Sequence, residues 1–220
     1  MGVLLNGSVG SIRAVTTATT KAGEPNWSYI PSAGKTNKTK AELVSSIKEL
    51  AKRAAMAEGK PESEQIARQV LQLRAEYLSD VSPDRKLLYQ QAKSVMKKQS
   101  GNQKCKGIGE LTLLDFLRDT HDGESRLAEK KFALAGGGML TCPILSSGGY
   151  GAEIECQGVK VLRNTGAGWS YEMTPAELDR KNEFYDIYWK EYRETKNNLE
   201  DSFLELPDYL EDRPQFDRKA

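Results

Sequence analysis

Histidine occurs once, as His121, and cysteine three times, as Cys105, Cys142 and Cys156, in a chain of 220 residues. An odd, widely spaced set frames no disulfide scaffold, and no pair has the CxxC spacing of a zinc or redox site. The expected use of these thiols is as small buried hydrophobes in a reducing compartment. Long apolar runs are also missing, and nothing approaches the roughly 18 residues that read as a membrane-spanning helix. The start, Met1-Gly2-Val3-Leu4-Leu5-Asn6, is interrupted too soon for a signal-peptide core, and Asn6 stands where N-myristoylation wants Ser or Thr. Cytoplasmic residence is expected, with export through a non-cleaved N-terminal leader as the other route. Without an export signal, the glycosylation-like triplets at Asn6, Asn26 and Asn37 are products of composition.

Recognisable reaction motifs are lacking as well. Ala33-Gly34-Lys35-Thr36 has the end of a phosphate-binding loop, but the first glycine of that motif falls on Tyr29, and no strand precedes it. The segment therefore reads as linker. Gly107–Gly109, Gly136–Gly138, Gly148–Gly151 and Gly166–Gly168 do not complete GxGxxG between a strand and a helix, so they read as turns. His121, between Asp119 and Asp122, has the context of a helix end followed by an Asp-Gly turn. No catalytic residue, cofactor or metal is expected from these patterns.

A net charge of +1 conceals segregation. Residues 83–109 hold seven Lys or Arg against one Asp, whereas residues 199–220 hold seven acidic residues against three basic ones. The basic run suits a polyanion or, equally, the acidic tail of the same chain.

Order is expected from Thr39, where Thr39 and Glu42 form a capping box ahead of Leu43, Val44, Ile47, Leu50, Ala51 and Ala54. A second helix over 62–79 presents Ile66, Val70, Leu73 and Tyr77 at helical spacing. A third starts at Ser82-Pro83, with Ser82 as its cap and Leu87, Leu88, Gln91, Val95 and Met96 as its buried side. A fourth covers 112–120, and a fifth 124–135. From Met139 the texture becomes strand-like: 152–156 alternates, Gln157-Gly158 makes a tight turn, and 159–162 and 169–173 complete a three-stranded meander. Residues 139–147, between two glycine clusters, read as a connection or a hinged loop. Thr174-Pro175-Ala176-Glu177 then combines cap, N1 proline and N3 glutamate.

The helix that follows carries Phe184, Tyr185, Tyr188, Trp189 and Tyr192 on one stripe. Phe184 and Trp189 are expected in the core, and Tyr185, Tyr188 and Tyr192 at a mixed edge open to a partner. The fold class is thus α+β: a helical N-terminal half, then a small antiparallel β-meander packed by a C-terminal amphipathic aromatic helix. Residues 1–38 read as a flexible arm, with Trp27, Tyr29 and Ile30 expected to pin it to the body, 39–198 as one domain and 199–220 as an acidic tail. In composition the Thr-rich first 20 or so residues resemble the leaders of flagellar and type III secretion substrates.

The expected function is a non-catalytic protein–protein interaction or accessory protein, bacterial or phage-encoded, with termini that order on a protein partner. One alternative is a nucleic-acid-associated regulator using Arg85, Lys86, Lys93, Lys97, Lys98, Lys104 and Lys106. Another is a cysteine-dependent enzyme pairing His121 with Cys142 or Cys156.

Overall fold

The capping box at Thr39 opens helix α1, Lys40–Met56: Glu42 N–H donates to Thr39 Oγ1 at 3.3 Å, and Thr39 N–H donates to Glu42 Oε2 at 2.7 Å. The computed structural model describes residues 23–34, 36–100, 111–119, 129–146 and 149–204. Helix α2 is Ser63–Tyr77, α3 is Arg85–Ser100, α4 is Leu113–Asp119 and α5 is Pro175–Leu204. Between α4 and α5 lies one antiparallel sheet in sequential order: β1 Lys131–Ala133, β2 Gly138–Thr141, β3 Ala152–Cys156, β4 Val159–Asn164 and β5 Trp169–Ser170. The fold is α+β in the order expected.

The sheet begins earlier than the sequence pattern implies. Lys131–Ala133 pairs with Met139–Thr141, so the described end of the expected fifth helix is strand instead. Gly136 and Gly137, at φ 74° and 79°, turn the chain back on itself, and the glycine run makes a hairpin rather than a helix stop. The expected loop after Met139 is strand β2 followed by an Ile144–Tyr150 bridge. Gln157 and Gly158 both take positive φ, 53° and 78°, the signature of a type I′ turn between β3 and β4.

Two cores result. The larger lies between the sheet and helices α3 and α4: Leu140, Ile154, Val161, Leu162 and Trp169 meet Leu88, Tyr89, Met96, Leu113 and Phe116. Residues 23–32 of the expected arm seal its rim, pinned by Trp27 and Ile30 as expected: Trp27 packs edge-on against Tyr89 at 5.5 Å, Ile30 is buried, and Trp169 Nε1 donates to Gly23 O at 2.7 Å. The outer face of the sheet is polar, with Glu153 paired to Lys160 at 2.7 Å and Arg163 at 2.8 Å.

The second core joins α1, α2 and α5 through Leu43, Ile47, Ala51, Tyr77, Leu78, Phe184 and Tyr188. Helix α5 meets the sheet at its first turn, whereas its aromatic stripe is covered by α1 running alongside in the same direction. Ion pairs set that register: Lys40 with Glu183 at 2.6 Å, Lys52 with Glu191 at 3.4 Å, and Lys196 with Glu58. Because α1 occupies the side of the stripe holding Phe184 and Tyr188, these two rings are 0% and 6% exposed, and Trp189 turns outward at 36%. Trp189 and Tyr188 thus exchange the roles expected of them.

Helix α3 is rotated from its expected face. Leu88, Tyr89, Ala92, Lys93 and Met96 point inward, and Leu87 is 52% exposed. Its cap is Asp84, whose Oδ1 accepts from Leu87 N–H at 3.0 Å, rather than Ser82. The Ser82 hydroxyl instead donates toward Glu177 Oε1 at 2.6 Å. Counting apolar residues alone misplaces this face, because two of its inward positions, Arg85 and Lys93, are cationic.

Candidate functional site

Arg85 and Glu177, both 0% exposed at their side chains, lie where the first turns of α3 and α5 converge. The guanidinium donates from Nε to Val161 O at 2.8 Å, from Nη1 to Pro31 O at 2.9 Å and Glu177 Oε1 at 2.6 Å, and from Nη2 to Glu172 O at 2.8 Å and Glu177 Oε2 at 2.7 Å. All five N–H donors of the fork are therefore used. The carbonyl of Val161 is available because the β3–β4 register passes from Leu162 to Lys160, a bulge that leaves Val161 unpaired. Glu177 also accepts from Thr174 N–H at 2.8 Å, closing the cap of α5. One ion pair thus joins sheet, α3, α5 and the 23–34 segment. It is an internal tie with no donor left for a partner.

A second buried cation differs in kind. Arg74, on α2 and 5% exposed, donates from Nη1 to Tyr185 Oη at 3.0 Å and from Nη2 to Tyr171 Oη at 3.3 Å. Its Nε is buried without a hydrogen-bond partner, and no carboxylate pairs with it among the described residues. The Tyr171 ring lies between the two guanidiniums, with Arg85 5.3 Å from its centroid. Lys181, one helical turn before Tyr185 on α5, has its ammonium pKa lowered by burial and by the charge of Arg74. Sequence periodicity held the signal: Arg74 follows Ile66 and Val70 at successive four-residue steps, on the buried side of α2.

The rings of α5 grade from core to surface. Phe184 and Tyr188 stack at 6.3 Å, Tyr188 meets Trp189 edge-on at 5.0 Å, and Trp189 meets Tyr192 edge-on at 5.3 Å. Burial pushes the Tyr188 phenol up to about 12. Tyr185 and Tyr192 are half-buried, so the outward edge of the helix presents Tyr185, Trp189 and Tyr192 in line.

The basic segment is less exposed than its sequence implies. Arg85 is internal, and Lys93, 1% exposed, sits 3.5 Å from Glu24 and over the Tyr89 ring. Lys86 lies over the Trp27 ring at 5.9 Å, Lys97 is half-buried, and Lys98 is exposed. Lys104 and Lys106 lie outside the described residues. Among the described residues Arg85 and Lys93 point inward, away from the exposed Lys98.

His121 and Cys105 also lie outside the described residues. Cys142 is fully buried at the end of β2, and burial pushes its thiol up to about 12, far from a thiolate at neutral pH. Cys156 is half-buried at the end of β3. Among the described residues no group of three His, Cys, Asp or Glu side chains is placed to hold a metal ion. In the linker with Gly34 and Thr36, Thr36 Oγ1 donates to Glu76 at 2.7 Å, and among the described residues no helix begins before Lys40. The groove between α1 and α2, about 590 Å³, is open and polar, lined by Ser45, Glu49, Arg53, Gln69, Gln72 and Glu76 among others. No helix of the described residues is long and apolar enough to cross a membrane. In comparisons with known proteins, no family model, no curated protein and no solved structure matches this chain.

Proposed function

We propose that the chain is a cytoplasmic, non-catalytic interaction or accessory protein that binds a protein partner through the outward edge of α5. The observation that carries this reading is Trp189, a large ring left 36% exposed on a helix otherwise packed along its length. Covering what remains of that ring removes on the order of 80 Å² of apolar surface from water, about 2 kcal/mol. Tyr188 and Tyr192 hold the indole from both sides, and the ion pairs to α1 fix the helix beneath it. A partner therefore meets an anchor that is already ordered, which is how a few aromatic residues come to dominate an interface. The hydroxyls of Tyr185 and Tyr192 supply the polar rim.

The test replaces Trp189 with Ser and, as a control, the exposed Leu87 of α3 with Ser. Both variants should melt within a few degrees of the parent, since neither ring nor side chain fills a core. Partner capture retained by the Leu87 variant and lost by the Trp189 variant supports the reading. Equal capture by all three proteins overturns it. Trimming residues 1–22 and 205–220 in a second arm separates a contribution of the termini from that of the ridge.

A further inference from the structure

We propose that Arg74, Lys181 and Tyr185 form a binding site for a phosphate-type dianion, adjoining the partner surface on α5 and sharing Tyr185 with it. Two guanidiniums, Arg74 and Arg85, meet at Tyr171, the Lys181 ammonium feels the charge of Arg74, and the single carboxylate bonded within that group, Glu177, is committed to Arg85. Burying a guanidinium without a counterion is costly, and proteins ordinarily place a carboxylate beside it. Arg74 has two phenol oxygens instead. Those oxygens accept from Arg74, so each phenol keeps its own O–H to donate elsewhere, and no acceptor for either is present among the described residues.

The arrangement is therefore rich in donors and poor in acceptors. Arg74 Nε–H is buried and unpaired, Tyr185 and Lys181 are half-buried, and Lys181 precedes Tyr185 by one turn on the same side of α5. Two positive charges without a paired carboxylate match a doubly charged oxyanion better than a monocarboxylate. An ammonium, a phenol O–H and a guanidinium N–H are the donor types that phosphate oxygens take. The shared chemistry is that of free phosphate and of a phosphate monoester. A clamp holding α2, β5 and α5 together would explain the two phenol contacts, but it leaves both the orphaned Nε–H and the crowding of Lys181 without a purpose.

The experiment follows the Arg74 Nε–H resonance of the ¹⁵N-labelled full chain, assigned by its loss in Arg74→Lys. Inorganic phosphate, phenyl phosphate and acetate are titrated separately at constant ionic strength. A saturable downfield shift with phosphate is expected. Phenyl phosphate acting as well as inorganic phosphate points to a monoester ligand, and inorganic phosphate acting alone points to the free ion. Lys181→Ala, at a half-exposed position, should weaken binding by about tenfold while melting as the parent does, and Tyr185→Phe should weaken it by a similar factor while melting lower, since it also removes the acceptor of Arg74 Nη1. An unmoved resonance, a shift that never saturates, acetate binding as tightly as phosphate, or full affinity in Lys181→Ala would each overturn the proposal. Should Arg74→Lys fail to fold, the Lys181→Ala and Tyr185→Phe comparison still decides, since phosphate-dependent melting reads out the same affinities.

Discussion

Glu177→Gln changes one oxygen to an amide and leaves the volume of the buried site almost unaltered. The charge is what disappears. Arg85 then remains 0% exposed with three backbone carbonyls and an amide oxygen around it, and no anion. Removing one partner of a buried ion pair typically costs about 3–5 kcal/mol, because the surviving charge is left without compensation. The amide NH₂ adds to the loss, since in either orientation it faces a guanidinium N–H, itself a donor. At about 2–4 °C per kcal/mol for a domain of this size, the melting temperature should fall by about 10–15 °C. Urea denaturation supplies the free energy directly, and the m-value should stay constant if the native state is otherwise unchanged. Joint replacement of Arg85 by Met and Glu177 by Leu should recover only part of the loss. The carbonyls of Pro31, Val161 and Glu172 would lack their donor in that variant. A loss below about 1 kcal/mol in Glu177→Gln would refute the reasoning, because the pair could then not be the tie that holds sheet and helices together.

Two further outcomes follow from burial. Phe184→Ala, in the core of the helical layer, should cost about 3–5 kcal/mol in denaturant unfolding, and Trp189→Ala about 1 kcal/mol; equal losses would refute the outward placement of the indole. Stability should hold steady up to about pH 9 and decline between about pH 10 and 12. The phenols of Tyr77 and Tyr188 are raised from 10.0 to about 12 and the Cys142 thiol from 9.0 to about 12, each mainly by burial. A raised acid binds its proton more tightly in the folded chain, so the stabilisation is complete below the unfolded pKa and vanishes as pH passes the folded one. A melting temperature unchanged from pH 9 to 12 would contradict this, as would alkylation of Cys142 as fast in the native as in the unfolded chain.

Local signals were legible where a few adjacent residues decide the outcome. Thr39 with Glu42 and Thr174 with Glu177 cap their helices as their spacing implies, and Gln157-Gly158 makes the tight turn its composition favours. The order of helices, sheet and aromatic helix followed from the same patterns. Hairpin β1–β2 was not legible, since Lys131–Ala133 is too short to show a period and is a strand only through its register with Met139–Thr141. Nor was the inward turn of Arg85 and Lys93, because charge alone places a residue outside.

The amino-acid sequence by itself determined the helix starts, the tight turns, the α+β order and the aromatic stripe of α5, because each depends on groups a few residues apart. Tertiary structure decided which side of each helix is buried, which ring of the stripe faces outward, and what neutralises Arg85 but not Arg74. Those outcomes depend on pairings such as Arg85 with Glu177 and Arg74 with Tyr185 across 92 and 111 residues of chain. At such separations only the packed chain brings a charge to its partner or leaves it without one.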